Sequence, residues 1–108
     1  MNVKEVRFLI PVGYDCQRRH IHRRVGNKII YFVVQFEIFI NNRWYTIVRY
    51  DTAHGFAHRD IIHFDGKVDK MVVMAYDYNE ALNIAESDLK ANWFIYRERF
   101  LKEVKDNE

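Results

Sequence analysis

From Lys28 to Ile40 the even positions Ile30, Phe32, Val34, Phe36, Ile38 and Ile40 are all apolar, while the odd set of Ile29, Tyr31, Val33, Gln35, Glu37 and Phe39 is mixed. A period of two with β-branched and aromatic side chains marks a strand that buries one face. The even set must face a core. Strand partners stand on both sides. Val6 to Val12 is a short apolar run that Pro11 interrupts, and Arg18 to Val25 runs into the turn pair Gly26-Asn27. Asn41-Asn42 turns into Trp44 to Tyr50; Ile61 to Phe64 is short, Asp65-Gly66 turns again, and Lys70 to Tyr76 returns. Each return carries a hairpin signal, so the order reads as an antiparallel meander.

The period then changes. From Asn79 onward, Ala81, Ala85, Leu89, Trp93, Tyr96, Phe100 and Val104 recur at steps of three or four, one face of a helix. Asp77 and Glu80 fit the D-x-x-E form of a capping box at its start. Running to Val104, such a helix is about 40 Å long at ~1.5 Å per residue, longer than a small sheet is wide. Either it breaks near Asn92 or its outer half packs against a second copy. The fold class is α+β: an antiparallel β-meander of four to six strands, one face covered by one long C-terminal α-helix, in a single domain over residues 1–108.

Composition narrows the function classes. Hydrophobic residues at 49% exclude a disordered chain, and no apolar run reaches the roughly 18 residues of a membrane helix. The single cysteine, Cys16, excludes an internal disulfide and a cysteine zinc cluster and suits a reducing compartment, so a cytoplasmic protein without a membrane partner is expected. Charge is unevenly spread: residues 1–54 carry nine Lys/Arg and four Asp/Glu, residues 55–108 eight and eleven. Arg18, Arg19, Arg23, Arg24 and Lys28 form a basic stripe without an acid. Clustered cations favour RNA or another polyanion as partner; they also protect an edge strand from aggregation.

Two turn lengths set the faces. A two-residue turn at Gly26-Asn27 places Ile21 opposite Phe32 on the core face, with His20 and His22 opposite Val33 and Tyr31. A three-residue turn at Asn41-Asn42-Arg43 pairs Arg49 with Gln35 and Asp51 with Val33. The second face would then gather Arg18, His20, His22, Tyr31, Gln35, Glu37, Arg49 and Asp51, provided that neither strand slips by one residue.

The stretch Arg49 to Asp60 (RYDTAHGFAHRD) holds two arginines, two aspartates and two histidines, and reads as a loop. Histidines titrate near neutrality, so His54 and His58 are candidates for general acid and base, with Asp51 or Asp60 orienting an imidazole. Arg49, Arg59, Arg18 and Arg24 are candidates for phosphate, and Tyr31 or Tyr50 for stacking on a base. Gly55 lets the loop fold back and bring the two histidines together. At least one histidine should then be solvent-accessible near an arginine, and alanine at either should remove activity while leaving the melting temperature nearly unchanged. A metal reading is weaker. His20-x-His22 points two imidazoles one way but lies among arginines, and His54 and His58 have helical spacing beside Gly55, with Asp51, Asp60 and His63 nearby; no H-E-x-x-H is present. No metal or cofactor is therefore expected. The competing account makes the stretch structural, with Asp51 and Asp60 capping turns and Arg49 and Arg59 paired to them.

The stretch resembles that of a family of small uncharacterised prokaryotic proteins sharing R-Y-D-x-A-H-G-x-x-H-R-D and a helix like Ala81 to Phe100. Arg49-Tyr50-Asp51, Ala53-His54 and His58 are also similar to the R-Y/W-D-N-A-P-H core of TumE-type proteins, described as toxins of toxin–antitoxin pairs with a β-meander and a helix. This chain lacks that proline and, apart from His63, the later P-H-H-x-H cluster. The resemblance implies a toxin-like, metal-independent ribonuclease and an antitoxin-like protein partner. The leading expectation is thus a small phosphate-directed, RNA-associated protein. The alternative is a non-catalytic binding or assembly module, homodimeric through its helix.

Overall fold

A computed structural model describes residues 2–108. Six strands, β1 (Val3–Val12), β2 (Cys16–Val25), β3 (Lys28–Ile40), β4 (Arg43–Asp51), β5 (His58–Ile62) and β6 (Val68–Val72), precede one helix, α1 (Tyr78–Asp106). Each strand pairs antiparallel with the next, giving an open sheet in meander order. β1 runs unbroken through Pro11, because an edge strand has one side on which a missing N–H breaks no ladder. No helix among the described residues is long and apolar enough to cross a membrane.

Two one-residue bulges decide what each face carries. On β3, Arg23 pairs with Tyr31 and Arg24 with Ile29, so Ile30 is extra. The even–odd pattern flips there: Ile29 is buried and Ile30 is exposed, against the expectation from alternation alone. The same shift corrects the expected faces of β2. Arg18, His20 and His22 stand opposite Phe36, Val34 and Phe32 on the helix side, while Gln17, Arg19, Ile21 and Arg23 take the other side. On β4, Ile47 is the extra residue, lying between Val48 (opposite Phe36) and Thr46 (opposite Glu37). The preceding turn has two residues rather than three, Asn41 and Asn42, both in the left-handed region (φ 53° and 65°) that a tight hairpin requires. The shorter turn and the added Ile47 cancel. Arg49 therefore pairs with Gln35 and Asp51 with Val33, as expected.

The core lies between one sheet face and α1. Phe32, Val34, Phe36 and Ile38 of β3 and Ile47, Val48 and Tyr50 of β4 meet Ala81, Leu82, Ala85, Leu89 and Phe100. The fully buried Ala81 and Ala85 bring the helix backbone close to the sheet, and further along Trp93 reaches Phe36 edge-on at 6.3 Å. Burial of one such Phe or Leu side chain contributes about 1.5–3 kcal/mol. Asp77 caps α1 by accepting from the Glu80 amide at 2.8 Å, and the Glu80 carboxylate accepts from the Tyr76 amide, one residue before the reciprocal partner of a capping box.

The helix does not break at Asn92, whose side chain donates to Asp88 Oδ1 one turn earlier at 2.7 Å. Polar contacts fasten it along its length. Asn79 bonds Ile29 N and Asn27 O, Arg97 clamps Asp15 with two bonds, and Glu103 accepts from the Phe64 amide. At mid-helix Asp88 Oδ2 accepts from both Tyr50 and Tyr96 hydroxyls at 2.7 Å. Burial and that hydrogen bond push the Tyr96 phenol up to about 12 and raise Tyr50 as well, so both remain donors. These fastenings hold α1 on one side. The opposite sheet face is left uncovered.

Candidate site on the open sheet face

Strand alternation puts Gln17, Arg19, Ile21 and Arg23 of β2 beside Tyr31, Val33, Gln35, Glu37 and Phe39 of β3 on this face, followed by Trp44, Thr46, Arg49 and Asp51 of β4. Across the β4–β5 pairing, Arg49 stands opposite Asp60 and Asp51 opposite His58. The shared face expected for Tyr31, Gln35, Glu37, Arg49 and Asp51 is present, but Arg18, His20 and His22 are not on it. Glu37 is buried here although no helix covers it. It accepts from Gln17 Nε2 at 2.5 Å, Arg19 Nε at 3.0 Å and Gln35 Nε2. Burial pushes its carboxyl up, but the bonds from Arg19, Gln17 and Gln35 outweigh that and hold it below the usual range.

The corner formed by β4 and β5 concentrates the titratable groups. His58 lies at the start of β5 rather than in a loop, and is only 1% exposed. Its Nε2 is 3.1 Å from Asp51 Oδ1 and 3.9 Å from Asp60 Oδ2. Asp51 Oδ1 also accepts from the Ala53 amide, and Lys70 Nζ reaches Asp60 Oδ1 at 3.0 Å. The turn from Thr52 to Ala57 is tied to β3 through Thr52, whose Oγ1 accepts from the Phe32 amide. Gly55 (φ 84°) turns the chain at the tip, and the exposed His54 ring stacks over His58 at 5.6 Å. Phe56 lies against His58 at the same centroid distance. Two imidazoles this close leave no room for a phosphate between them. His54 alone faces solvent.

Arg49, Asp51, His54 and His58 thus come together. Arg49 donates to Gln35 Oε1 at 3.1 Å and, among the described residues, pairs with no carboxylate. The other expected phosphate ligands lie elsewhere. Arg59 alternates to the helix face, beside Tyr50, Tyr96 and Asp88, with Met71 Sδ at 3.8 Å from Nη2. Arg18 is buried on the helix face, in a small cleft with Leu89, Lys90 and Trp93. Arg24 donates to the Gly26 carbonyl. His20 and His22 bond one another at 2.6 Å, with Phe8 stacked on His20, and burial lowers both pKa values. Residue patterns did not single out Lys70, Gln17 or Arg19 as members of this face. Only the register of β2 and β6 places them there.

The architecture is an open six-stranded antiparallel sheet with one helix packed on it. The chain belongs to a family described as Domain of unknown function (DUF7718), whose model matches residues 1–106. Comparison with curated proteins and with solved structures returns no match.

Proposed function

We propose that this is a small phosphate-directed, RNA-associated protein that receives a single strand on its uncovered sheet face. The observation that carries the reading is the makeup of that face. Arg19, Arg23 and Arg49 stand across β2 and β4; Arg19 and Arg23 share the face with their partners Glu37 and Glu5, and Arg49 pairs with no carboxylate among the described residues. Phe39 and Trp44, each 44% exposed with ring centroids 5.2 Å apart, sit at one end. Cations that track phosphates beside aromatic rings that stack on bases are the general means of holding single strands. In a toxin-like ribonuclease, His54 would be the proton-transfer group that touches substrate. Asp51 and His58 would be positioning residues behind it, and an antitoxin-like protein would compete for the same face.

Fluorescence anisotropy with a labelled oligouridylate tests this. Arg49→Ala and Trp44→Ala should weaken binding, and Arg49→Ala should lower the salt slope by about 0.7, the loss of one single-strand phosphate contact. Lys102→Ala, on the exposed side of the helix, should change nothing. No binding at low salt, or equal weakening by Lys102→Ala, would refute the reading. If binding holds, His54→Ala should abolish any cleavage of the strand.

A second reading, an assembly module, is favoured by Phe94 and Ile95, which are 54% and 66% exposed on the outer side of α1. Sedimentation that gives a dimer for the protein and a monomer for Ile95→Lys would support it.

A further inference from the structure

The Asp51–His58–Asp60 group holds more ligating capacity than its internal bonds use, and we infer that it is a binding site for one first-row divalent cation such as Mn²⁺ or Zn²⁺. The hairpin builds it. Asp51 and His58 are direct cross-strand partners, and Asp60, two residues along β5, returns to the same side. One donor atom from each of the three residues lies within 4.8 Å of the others. Bond lengths of ~2.1 Å place neighbouring ligand atoms roughly 3–3.5 Å apart. The 3.1 Å from His58 Nε2 to Asp51 already fits, and the 3.9 Å to Asp60 needs only a small closure.

Unpaired groups give a second, independent reason. All three residues are more than nine-tenths buried, at 8%, 1% and 7% exposure. Asp60 turns Oδ2 toward His58 Nε2 at 3.9 Å, while Lys70 engages its other oxygen. His58 Nδ1 is buried without a partner, so no other protein group dictates which ring nitrogen carries the proton. With the proton on Nδ1, the Nε2 lone pair faces the two carboxylates without any turn of the ring. Two buried carboxylates bring negative charge into a site of low polarity; Lys70 and Arg49, the cross-strand neighbour of Asp60, offset part of it from the edges, and a divalent ion held by both carboxylates offsets it directly. One imidazole and two carboxylates suit Mn²⁺ or Zn²⁺ better than Ca²⁺, which prefers oxygen alone.

The other histidine clusters do not share this property. His20 and His22 are joined to one another, and both nitrogens of His63 are already engaged, by Asp69 at 2.7 Å and Glu103 at 2.9 Å. With three protein ligands, the remaining positions on the ion are open to water or a phosphate oxygen, beneath His54 and next to Arg49. The inference stands on the geometry of Asp51, His58 and Asp60 and does not require RNA binding. Either can fail while the other holds.

The test is Mn²⁺ titration of chelator-stripped, dialysed full-length protein, with free ion read by electron paramagnetic resonance. About one ion per chain should bind, and Mn²⁺ should broaden the imidazole resonances of His54 and His58 at lower ion concentration than that of His63, about 10 Å further along the chain from Asp60. Asp60→Asn and His58→Gln should each lose affinity by about tenfold or more, as removal of a ligand does, while Glu103→Gln keeps it. Asp60→Asn preserves shape, and the broadening pattern in the unmodified protein needs no variant. Absence of stoichiometric Mn²⁺, unchanged affinity in Asp60→Asn, or broadening centred on His63 would overturn the assignment.

Discussion

Replacing Asp88 tests whether one carboxylate fastens the helix to the sheet and so keeps the opposite face open. Its Oδ2 accepts from Tyr50 and Tyr96, and its Oδ1 from Asn92, each at 2.7 Å. A hydrogen bond to a charged group contributes about 1.5–3 kcal/mol, and a buried donor left without an acceptor costs about 1–3 kcal/mol. Tyr50 is 3% exposed, so its hydroxyl has no water to turn to; Tyr96 and Asn92 are half-buried and can recover one. Asp88 also recovers hydration lost on folding. Asp88→Ala should therefore cost about 3 kcal/mol in total. With an unfolding entropy of ~2.1 cal/mol/K per residue, that lowers the Tm by about 13 °C for this chain length. Asp88→Asn keeps an oxygen toward both tyrosines and should cost under about 1 kcal/mol. Tyr50→Phe combined with Asp88→Ala should cost less than the sum of the singles by about 1.5 kcal/mol, because the orphaned hydroxyl is gone. Urea denaturation followed by tryptophan fluorescence measures each corner of the cycle. Additivity within ~0.5 kcal/mol would show that Tyr50 and Asp88 are not coupled and refute the fastening.

Two further outcomes follow from packing and charge. Phe36 is fully buried, so Phe36→Ala should cost about 3–5 kcal/mol in the same denaturation assay and Phe36→Asp should prevent folding. His63 has its pKa raised by the bonds to Asp69 and then Glu103, so the folded protein keeps this proton to higher pH than the unfolded chain. That contribution is full below the unfolded value of about 6.5 and is lost as pH rises through the raised one. The stability gap between the protein and His63→Gln should therefore narrow from mildly acidic to alkaline pH; a gap that widens would refute it.

The sequence by itself determined the meander and the helix, because both rest on local rules. Alternation over Phe32 to Ile38 dictates a half-buried strand whatever its neighbours. Asn41-Asn42 and Gly26-Asn27 supply residues that tolerate left-handed backbone, and Asp77 can satisfy the Glu80 amide only at a helix start. The faces were another matter. A strand's side-chain period is two, so one inserted residue reverses everything beyond it. Ile30 and Ile47 are such residues, and no local pattern marks either. One bulge moved Arg18, His20 and His22 under the helix; the other hid a miscounted turn and left Arg49 and Asp51 where they were expected. His58 shows the same limit. Its histidine, aspartate and arginine neighbours were legible as a dense polar stretch. That His58 and Asp60 face Asp51 while Arg59 between them faces away follows from the β4–β5 register, which tertiary packing sets.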